Sequence, residues 1–300
     1  METKLRNLSR RDMLKLASAA AAAAVAPLAT ARRNDTARAA TRPTARLFMT
    51  DNGTGKNVLL LHGWTCDSND WNWQLPEFES KYRVIAPDLR GHGRSEVMPS
   101  GAYAPADYVA DIEALISSKH AGRKFIIVGH SMGGQIAARV AARRPDLVGA
   151  VVSIDGALGF SSGAAKLFAK TVHDLNAGDP GVVAPALFNL VYAPSTDPGF
   201  KSWHARRVKG MPADVVRESF APLFFGPEQV GIGAGSEKLC RSLTVPVYHM
   251  CRNPVQAERM RPWFSHAKSK VDVWNHSGHW IMQDRPQDVN AAVRAWIDAL

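Results

Sequence analysis

Short runs of consecutive hydrophobic residues alternate along this chain with longer segments in which hydrophobic positions follow a helical period. The hydrophobic runs predict buried strands over residues 57–61, 82–86, 125–128, 147–154, 245–250 and 271–274. The intervening segments predict amphipathic helices, most clearly over residues 107–119, 132–143 and 287–299. Strands that are hydrophobic throughout and separated by helices are typical of a parallel sheet covered by helices on both faces. The pattern therefore predicts an α/β fold with a mostly parallel sheet.

One long segment, between the predicted strands 147–154 and 245–250, breaks this alternation. It carries many large hydrophobic side chains, namely Phe160, Leu167, Phe168, Phe188, Trp203, Phe220, Phe224 and Phe225. A connection of this length without structure is uncommon in a compact domain. We therefore predict a helical cap insert over residues 159–235, above a core of residues 46–158 and 236–300. Additional core helices are the alternative. The cap is favoured because the segment leaves the sheet past a carboxyl strand end, where such sheets bind ligands.

The N-terminal residues have the pattern of an export signal. Arg10 and Arg11 precede an alanine-rich hydrophobic run over residues 16–29, which ends at the small residues Ala29-Thr30-Ala31. This order describes a secretory signal peptide, and the paired arginines resemble a twin-arginine signal. We predict that residues 1–31 direct export, to the periplasm or beyond, and that residues 32–45 form a loose lead-in. An alanine-rich helix docked on the domain is the alternative.

Composition and charge narrow the possible partners. The 300 residues are 46% hydrophobic and 21% charged, which suits one large globular domain or one domain with an insert. The net charge is +10, but lysines and arginines are scattered and do not interleave with aromatic residues. We therefore interpret the charge as solvated surface and predict no nucleic-acid partner. The N-terminal run is too short and too rich in alanine to span a bilayer comfortably, so no stable membrane anchor is predicted.

The cysteines do not predict a disulfide framework. There are three, Cys66, Cys240 and Cys251, and the odd number argues against complete pairing. Cys240 and Cys251 flank the predicted strand 245–250, which would hold them roughly 20 Å apart, beyond disulfide reach. No cluster with metal-ligand spacing and no phosphate-binding glycine loop occurs in the sequence, so neither a metal nor a cofactor is predicted.

A Gly-x-Ser-x-Gly motif covers residues 129–133, where it reads Gly-His-Ser-Met-Gly. It joins the predicted strand 125–128 to a predicted helix, so it lies on a strand-to-helix turn. Such a turn exposes the hydroxyl of Ser131, and side chains at Gly129 and Gly133 would collide with neighbouring backbone. The N-terminus of the helix beneath favours negative charge. Ser131 is therefore a candidate nucleophile, with a serine in an ordinary turn as the alternative.

From about residue 47 to its C-terminus, the chain resembles the α/β-hydrolase superfamily. The resemblance is carried by the motif at 129–133, by His-Gly-Trp at 62–64, by Arg-Val-Ile-Ala-Pro-Asp-Leu-Arg-Gly-His-Gly-Arg-Ser at 83–95, and by Gly-His at 278–279. It implies Ser131 as nucleophile and His279 as its base, with His276 as the rival. It also implies an oxyanion hole formed by the backbone N–H groups of Trp64 and Met132. His62 and His92 are expected to shape loops.

The third member of the triad departs from the family pattern. The family usually places an acid after the strand that corresponds to 245–250, where this chain reads Cys-Arg-Asn-Pro at 251–254. Asn253 is near that position but is uncharged, and Glu258 is too far along. Asp155 ends the preceding predicted strand, a place that some branches of the superfamily use for the acid. Asp155 is the preferred candidate, and Asn253 stays open.

The resemblance implies a reaction class but no substrate. Ser131, His279 and Asp155 would hydrolyse a carboxylic ester or lactone of a small molecule through an acyl-enzyme. A cofactor-free perhydrolase or haloperoxidase-like enzyme, or a ligand receptor without turnover, would share every motif. The substrate and the oligomeric state remain open.

Overall fold

A seven-stranded sheet forms the centre of the structure, a computed structural model that describes residues 42–300. Its strands are β1 Met49–Asn52, β2 Asn57–Leu61, β3 Arg83–Pro87, β4 Phe125–His130, β5 Val148–Ile154, β6 Val247–Cys251 and β7 Lys270–Val273. They lie in the order β1-β3-β2-β4-β5-β6-β7. Only β1 is antiparallel to its neighbour, so the predicted mostly parallel α/β sheet is confirmed. The predicted signal peptide, residues 1–31, and most of the lead-in lie outside the described residues.

The six strands predicted from hydrophobic runs are all present, with ends that differ by at most two residues. Every residue of β2 and β4 is buried, which means that both faces of the sheet are covered at its centre. The sequence prediction missed β1, whose residues read Met-Thr-Asp-Asn and are half or fully exposed. An edge strand needs no hydrophobic run, because it gains its hydrogen bonds from one neighbour and lies near solvent.

Helices surround and connect these strands. They are α1 Leu75–Glu79, α2 Pro105–Lys119, α3 Met132–Arg143, α4 Ala165–Ala177, α5 Pro180–Asn189, α6 Pro198–Lys209, α7 Ala213–Phe220, α8 Gly233–Arg241, α9 Pro254–Met260, α10 Ile281–Asp284 and α11 Pro286–Asp298. Helix α2 begins with Pro105 in its first turn, and the Asp107 side chain accepts a hydrogen bond from the Ala104 backbone N–H at 3.0 Å. Among the described residues, no helix is both long and apolar enough to cross a membrane.

The segment between β5 and β6 is built of helices α4 to α8. Its aromatic side chains Phe168, Phe188, Phe220 and Phe224 are buried and belong to the same hydrophobic cluster as the sheet. The rings of Phe188 and Phe220 lie 5.9 and 4.6 Å from the ring of Trp64, which follows β2. The insert therefore packs on the loop that leaves the carboxyl end of β2. Its role as a cap remains a prediction.

The three cysteine thiols are free. Cys66, Cys240 and Cys251 are each buried. Cys240 lies in α8 and Cys251 is the last residue of β6. The described part of the chain is therefore held by its hydrophobic core and its hydrogen bonds.

Candidate active site

Ser131 stands between β4 and α3 in a strained backbone conformation. Its φ of 52° and ψ of −116° place it in a region that residues with side chains rarely adopt. A Cβ atom built at Gly129 would lie 2.3 Å from the carbonyl oxygen of Gly133, and one built at Gly133 would lie 2.2 Å from that of Leu61. The predicted collisions are thus confirmed. Glycine at both positions allows the backbone segments around Ser131 to approach this closely.

His279 connects Ser131 to Asp155. Its Nε2 lies 2.9 Å from Ser131 Oγ, and its Nδ1 lies 2.6 Å from Asp155 Oδ2. An ionised carboxylate only accepts hydrogen bonds, so Nδ1 carries the proton and Nε2 is free to accept from the serine hydroxyl. The backbone N–H of His279 donates to the carbonyl oxygen of Val191 at 2.8 Å. The structure therefore brings three of the predicted residues into one hydrogen-bonded row, while the rival His276 is exposed.

Asp155, rather than Asn253, contacts His279. Asp155 follows β5 with a φ of 42°, and its backbone N–H donates to Met250 of the neighbouring β6 at 2.7 Å. The side chain of Asn253 instead caps α9, where Oδ1 accepts from the backbone N–H groups of Val255 and Gln256 at 2.9 and 3.2 Å. The amide of Asn253 is therefore occupied at the start of a helix.

Arg252 is a neighbour of the site that sequence reasoning missed. Its Nε donates to Asp155 Oδ2 at 2.7 Å, and its Nη1 donates to the carbonyl oxygen of Val191 at 3.3 Å. Burial by itself raises the pKa of Asp155, but the hydrogen bond from His279 and the charge of Arg252 outweigh it and hold the pKa well below its usual range. Asp155 is therefore ionised. One indication of this contact is present in the sequence, namely that Arg252 lies in the turn where the family usually places the acid of the triad.

The loop that holds Trp64 lies directly against Ser131. A Cβ atom built at Gly63 would lie 3.2 Å from Ser131 Cβ, so a side chain at position 63 would crowd the serine. Thr65, next in the loop, has a φ of 57°. Met132 is the first residue of α3 and immediately follows Ser131. The predicted donors, the backbone N–H groups of Trp64 and Met132, thus belong to two segments that meet at Ser131.

Two buried histidines support this loop. His92 Nε2 accepts from the backbone N–H of Thr65 at 3.3 Å, and His62 Nε2 accepts from that of Leu89 at 2.8 Å. Burial lowers the pKa of both imidazoles, that of His92 to about 3, so both are neutral at pH 7 and keep one nitrogen free to accept. Their contacts agree with the expectation that they shape loops.

His130, the residue before Ser131, is hydrogen-bonded to the loop that carries His279. Its Nε2 donates to the carbonyl oxygen of His279 at 3.0 Å, and the two rings lie 4.7 Å apart. Burial lowers the pKa of His130 to about 3, so it stays neutral beside His279. Sequence reasoning missed this role because His130 occupies a variable position of the Gly-x-Ser-x-Gly motif.

A buried ion pair, Arg207–Asp70, joins the insert to the Trp64 loop and to the loop that carries His279. Arg207 on α6 donates through Nη1 to Asp70 Oδ1 at 2.5 Å and through Nε to the carbonyl oxygen of Thr65 at 2.9 Å. Asp70 Oδ2 accepts from Trp280 Nε1 at 3.2 Å. Burial alone would raise the pKa of Asp70, but the Arg207 guanidinium outweighs it and lowers the pKa to about 2. The pair therefore links helix α6, the Trp64 loop and the residue after His279.

One group among the described residues has metal-ligand spacing. The ligand atoms of Cys66, Asp70 and His130 all lie within 4.8 Å of one another. However, Asp70 is already paired with Arg207, and burial raises the pKa of the Cys66 thiol well above its usual range. A cation there would have to displace the guanidinium and ionise a disfavoured thiol, so the donor set does not suit a metal.

A family model, curated proteins and solved structures were compared with this chain, and the matches that follow are all hydrolases or esterases by their descriptions. Residues 58–292 match the model of a family described as the alpha/beta hydrolase family. A 2-(acetamidomethylene)succinate hydrolase from Mesorhizobium japonicum is 30% identical over 277 residues, 84% of this chain and 92% of that protein. A serine hydrolase-like protein from Danio rerio is 39% identical over 102 residues, 34% of this chain, and the match spans only 31% of that protein's length. A thermophilic esterase from Thermogutta terrifontis, solved with malate bound, has a TM-score of 0.73 at 24% identity over 85% of this chain and 94% of that chain.

Proposed function

This chain belongs to the alpha/beta hydrolase family, and from that premise we propose that it is a serine hydrolase that cleaves a carboxylic ester or lactone of a small molecule through an acyl-enzyme. The observation that carries the proposal is the row in which His279 lies 2.9 Å from Ser131 Oγ and 2.6 Å from Asp155 Oδ2. A nucleophile, a base within hydrogen-bonding distance and a carboxylate that orients the base are the parts that acyl transfer requires.

In the first half of the reaction, Ser131 Oγ attacks the carbonyl carbon while His279 Nε2 takes the hydroxyl proton. The imidazolium that forms is stabilised by the ionised Asp155 through the Nδ1–H hydrogen bond. The backbone N–H groups of Trp64 and Met132 would hold the carbonyl oxygen as it becomes negative, each worth about 3–4 kcal/mol in the transition state. The N-terminus of α3 adds favourable potential at the same place.

In the second half, the carbon–oxygen bond to the leaving group breaks and His279 gives its proton to the departing alkoxide. An alcohol leaves from an ester, whereas the hydroxyl of an opened lactone stays on the acyl chain. Water then attacks the acyl carbonyl carbon and gives a proton to His279 Nε2. Collapse of this second intermediate releases the acid and returns the proton to Ser131 Oγ.

The surroundings of Trp64 support a compact, rather apolar acyl or lactone group. The rings of Phe188 and Phe220 lie against Trp64, and Phe168 stacks on Phe224 with ring centroids 3.9 Å apart. These side chains are buried beside one of the proposed oxyanion donors, so the surroundings of that donor are apolar. The succinate-derivative hydrolase named above acts on an acidic substrate by its name, so the ester screen should include neutral and anionic acyl groups.

The deciding experiment is Ser131→Ala, tested with a panel of 4-nitrophenyl esters and lactones of increasing size. We expect kcat to fall by roughly 10⁶-fold with an unchanged thermal melt, because the nucleophile is lost and the fold is not. Ser202→Ala, at an exposed serine of α6, is the matched control and should leave kcat unchanged. Turnover that survives in Ser131→Ala would refute the proposal. A wild-type protein that binds esters or lactones without any turnover would point to a receptor.

A further inference from the structure

A cavity of about 570 Å³ lies beside the candidate active site and is separate from it. Asp155 lines both, but neither Ser131 nor His279 lines the cavity. Its walls come from the ends of β5, β6 and β7 and from the first residues of the insert. A volume of this size is in the range of small-molecule sites, which is about 300–1,000 Å³.

The lining of the cavity carries a net positive charge. Arg252 and Arg259 both line it, and Asp155 is the single carboxylate among the lining residues. The Nε of Arg252 is engaged by Asp155, whereas Arg259 forms no ion pair within residues 42–300 and donates through Nη2 to the carbonyl oxygen of Gly159. Two guanidinium groups and one carboxylate give a net charge of +1, which a monoanion would balance.

The hydroxyl oxygen of Ser277 lies beneath the lining of the cavity. Ser277 lines the cavity and is 7% exposed, and its Oγ has no hydrogen-bond partner among the described residues. A buried polar group that is left unpaired costs stability, and most such groups in proteins are paired with protein, water or a ligand. Because almost none of the surface of Oγ is accessible, we assign the recognition of a ligand in this cavity to the two arginines and not to this hydroxyl.

Part of the lining is apolar and suits a hydrocarbon group. It consists of Phe160, Ala164, Pro254 and Val255, and the side chain of Val255 is 69% exposed. A phosphate ion would fill little of the volume and leave these apolar side chains uncovered. We propose that the cavity binds a small organic monocarboxylate, with its carboxylate between Arg252 and Arg259 and its hydrocarbon body against Phe160 and Val255.

Isothermal titration calorimetry of the full chain with benzoate at pH 7 tests this proposal. We expect one binding site per chain, and at least ten-fold weaker binding of acetate and of inorganic phosphate. Acetate lacks the large hydrocarbon group, and phosphate lacks both that group and the planar carboxylate. Arg259→Gln should weaken benzoate binding ten-fold or more. Benzyl alcohol, which has the body without the charge, should bind no better than acetate.

Arg261→Gln is the matched control, because it removes the same charge from the end of the same helical segment but lies outside the cavity. It should leave benzoate binding within two-fold of wild type, and thermal melts should show that each variant is folded. Equal weakening by Arg259→Gln and Arg261→Gln would mean that benzoate senses only the overall charge and would overturn the proposal. Equal affinity for phosphate, or no benzoate binding by the folded wild-type chain, would overturn it as well.

Discussion

At the scale of single residues, the unusual feature is the origin of the carboxylate that is hydrogen-bonded to His279. Asp155 supplies it from the end of β5, while the turn after β6 offers a cation, Arg252, in place of an acid. The carboxylate of Asp155 thus serves two donors, at 2.6 and 2.7 Å. The left-handed backbone of Asp155, with φ of 42°, is the local strain that accompanies this placement.

Asp155→Asn should lower kcat by about 10⁴-fold, because an amide neither stabilises the imidazolium nor holds the same tautomer of His279. Asn253→Ala should change kcat little and lower the free energy of unfolding by about 1 kcal/mol, because its side chain caps α9. For both variants, kcat is measured with one ester that the wild-type protein hydrolyses well, and the free energy of unfolding is measured by urea denaturation. A nearly active Asp155→Asn beside an inactive Asn253→Ala would show that the acid is wrongly assigned.

At the scale of elements, the insert is attached to the site through charge as well as through aromatic packing. Arg207 reaches from α6 to Asp70 and to the backbone of Thr65, and Asp70 also holds the indole of Trp280. The side chains of Arg207 and Asp70 are 9% and 0% exposed. Breaking a buried pair by removing one partner is strongly destabilising, whereas replacing both partners with apolar residues is often neutral.

Arg207→Met and Asp70→Leu should each lower the free energy of unfolding by about 3–5 kcal/mol, because each leaves a buried charge unpaired. The double variant should recover most of that stability. It should still show a lower kcat than wild type, because Thr65 and Trp280 both lose their buried partners while the apolar surface around Trp64 stays. Urea unfolding and ester kinetics on the three variants measure this. Full recovery of kcat in the double variant would mean that the pair only stabilises the fold.

At the scale of the whole molecule, one hydrophobic cluster runs from the sheet into the insert. It includes Leu59 of β2 and Ile127 of β4 together with Phe168 and Phe220.

The free, buried cysteines mean that this core forms without disulfides. A chain of this kind can complete its folding in a reducing compartment. That property supports the proposal that a twin-arginine signal in residues 1–31 exports the protein already folded.

Replacing Arg10 and Arg11 together by lysine should block export, because the twin-arginine route reads that pair. The matched control is Arg32→Lys with Arg33→Lys, the same change just after the predicted cleavage site. Fractionation of a bacterial host with immunoblotting measures both. Export of the Arg10/Arg11 variant at the wild-type level would contradict the proposed route.

The sequence by itself determined the parallel sheet and the turn at Ser131, because hydrophobic runs and the Gly-x-Ser-x-Gly motif are local patterns read from neighbouring residues. His279 followed from the resemblance to the α/β-hydrolase superfamily. Burial gives the central strands their hydrophobic runs, and the turn requires glycine at 129 and 133. The sequence did not decide whether Asp155 or Asn253 is the acid of the triad. It also did not reveal the contacts of Arg252, His130 or the Arg207–Asp70 pair. Only the tertiary structure decided which side chains meet there, because those contacts join residues far apart in the chain, where strand register and loop path set the distances.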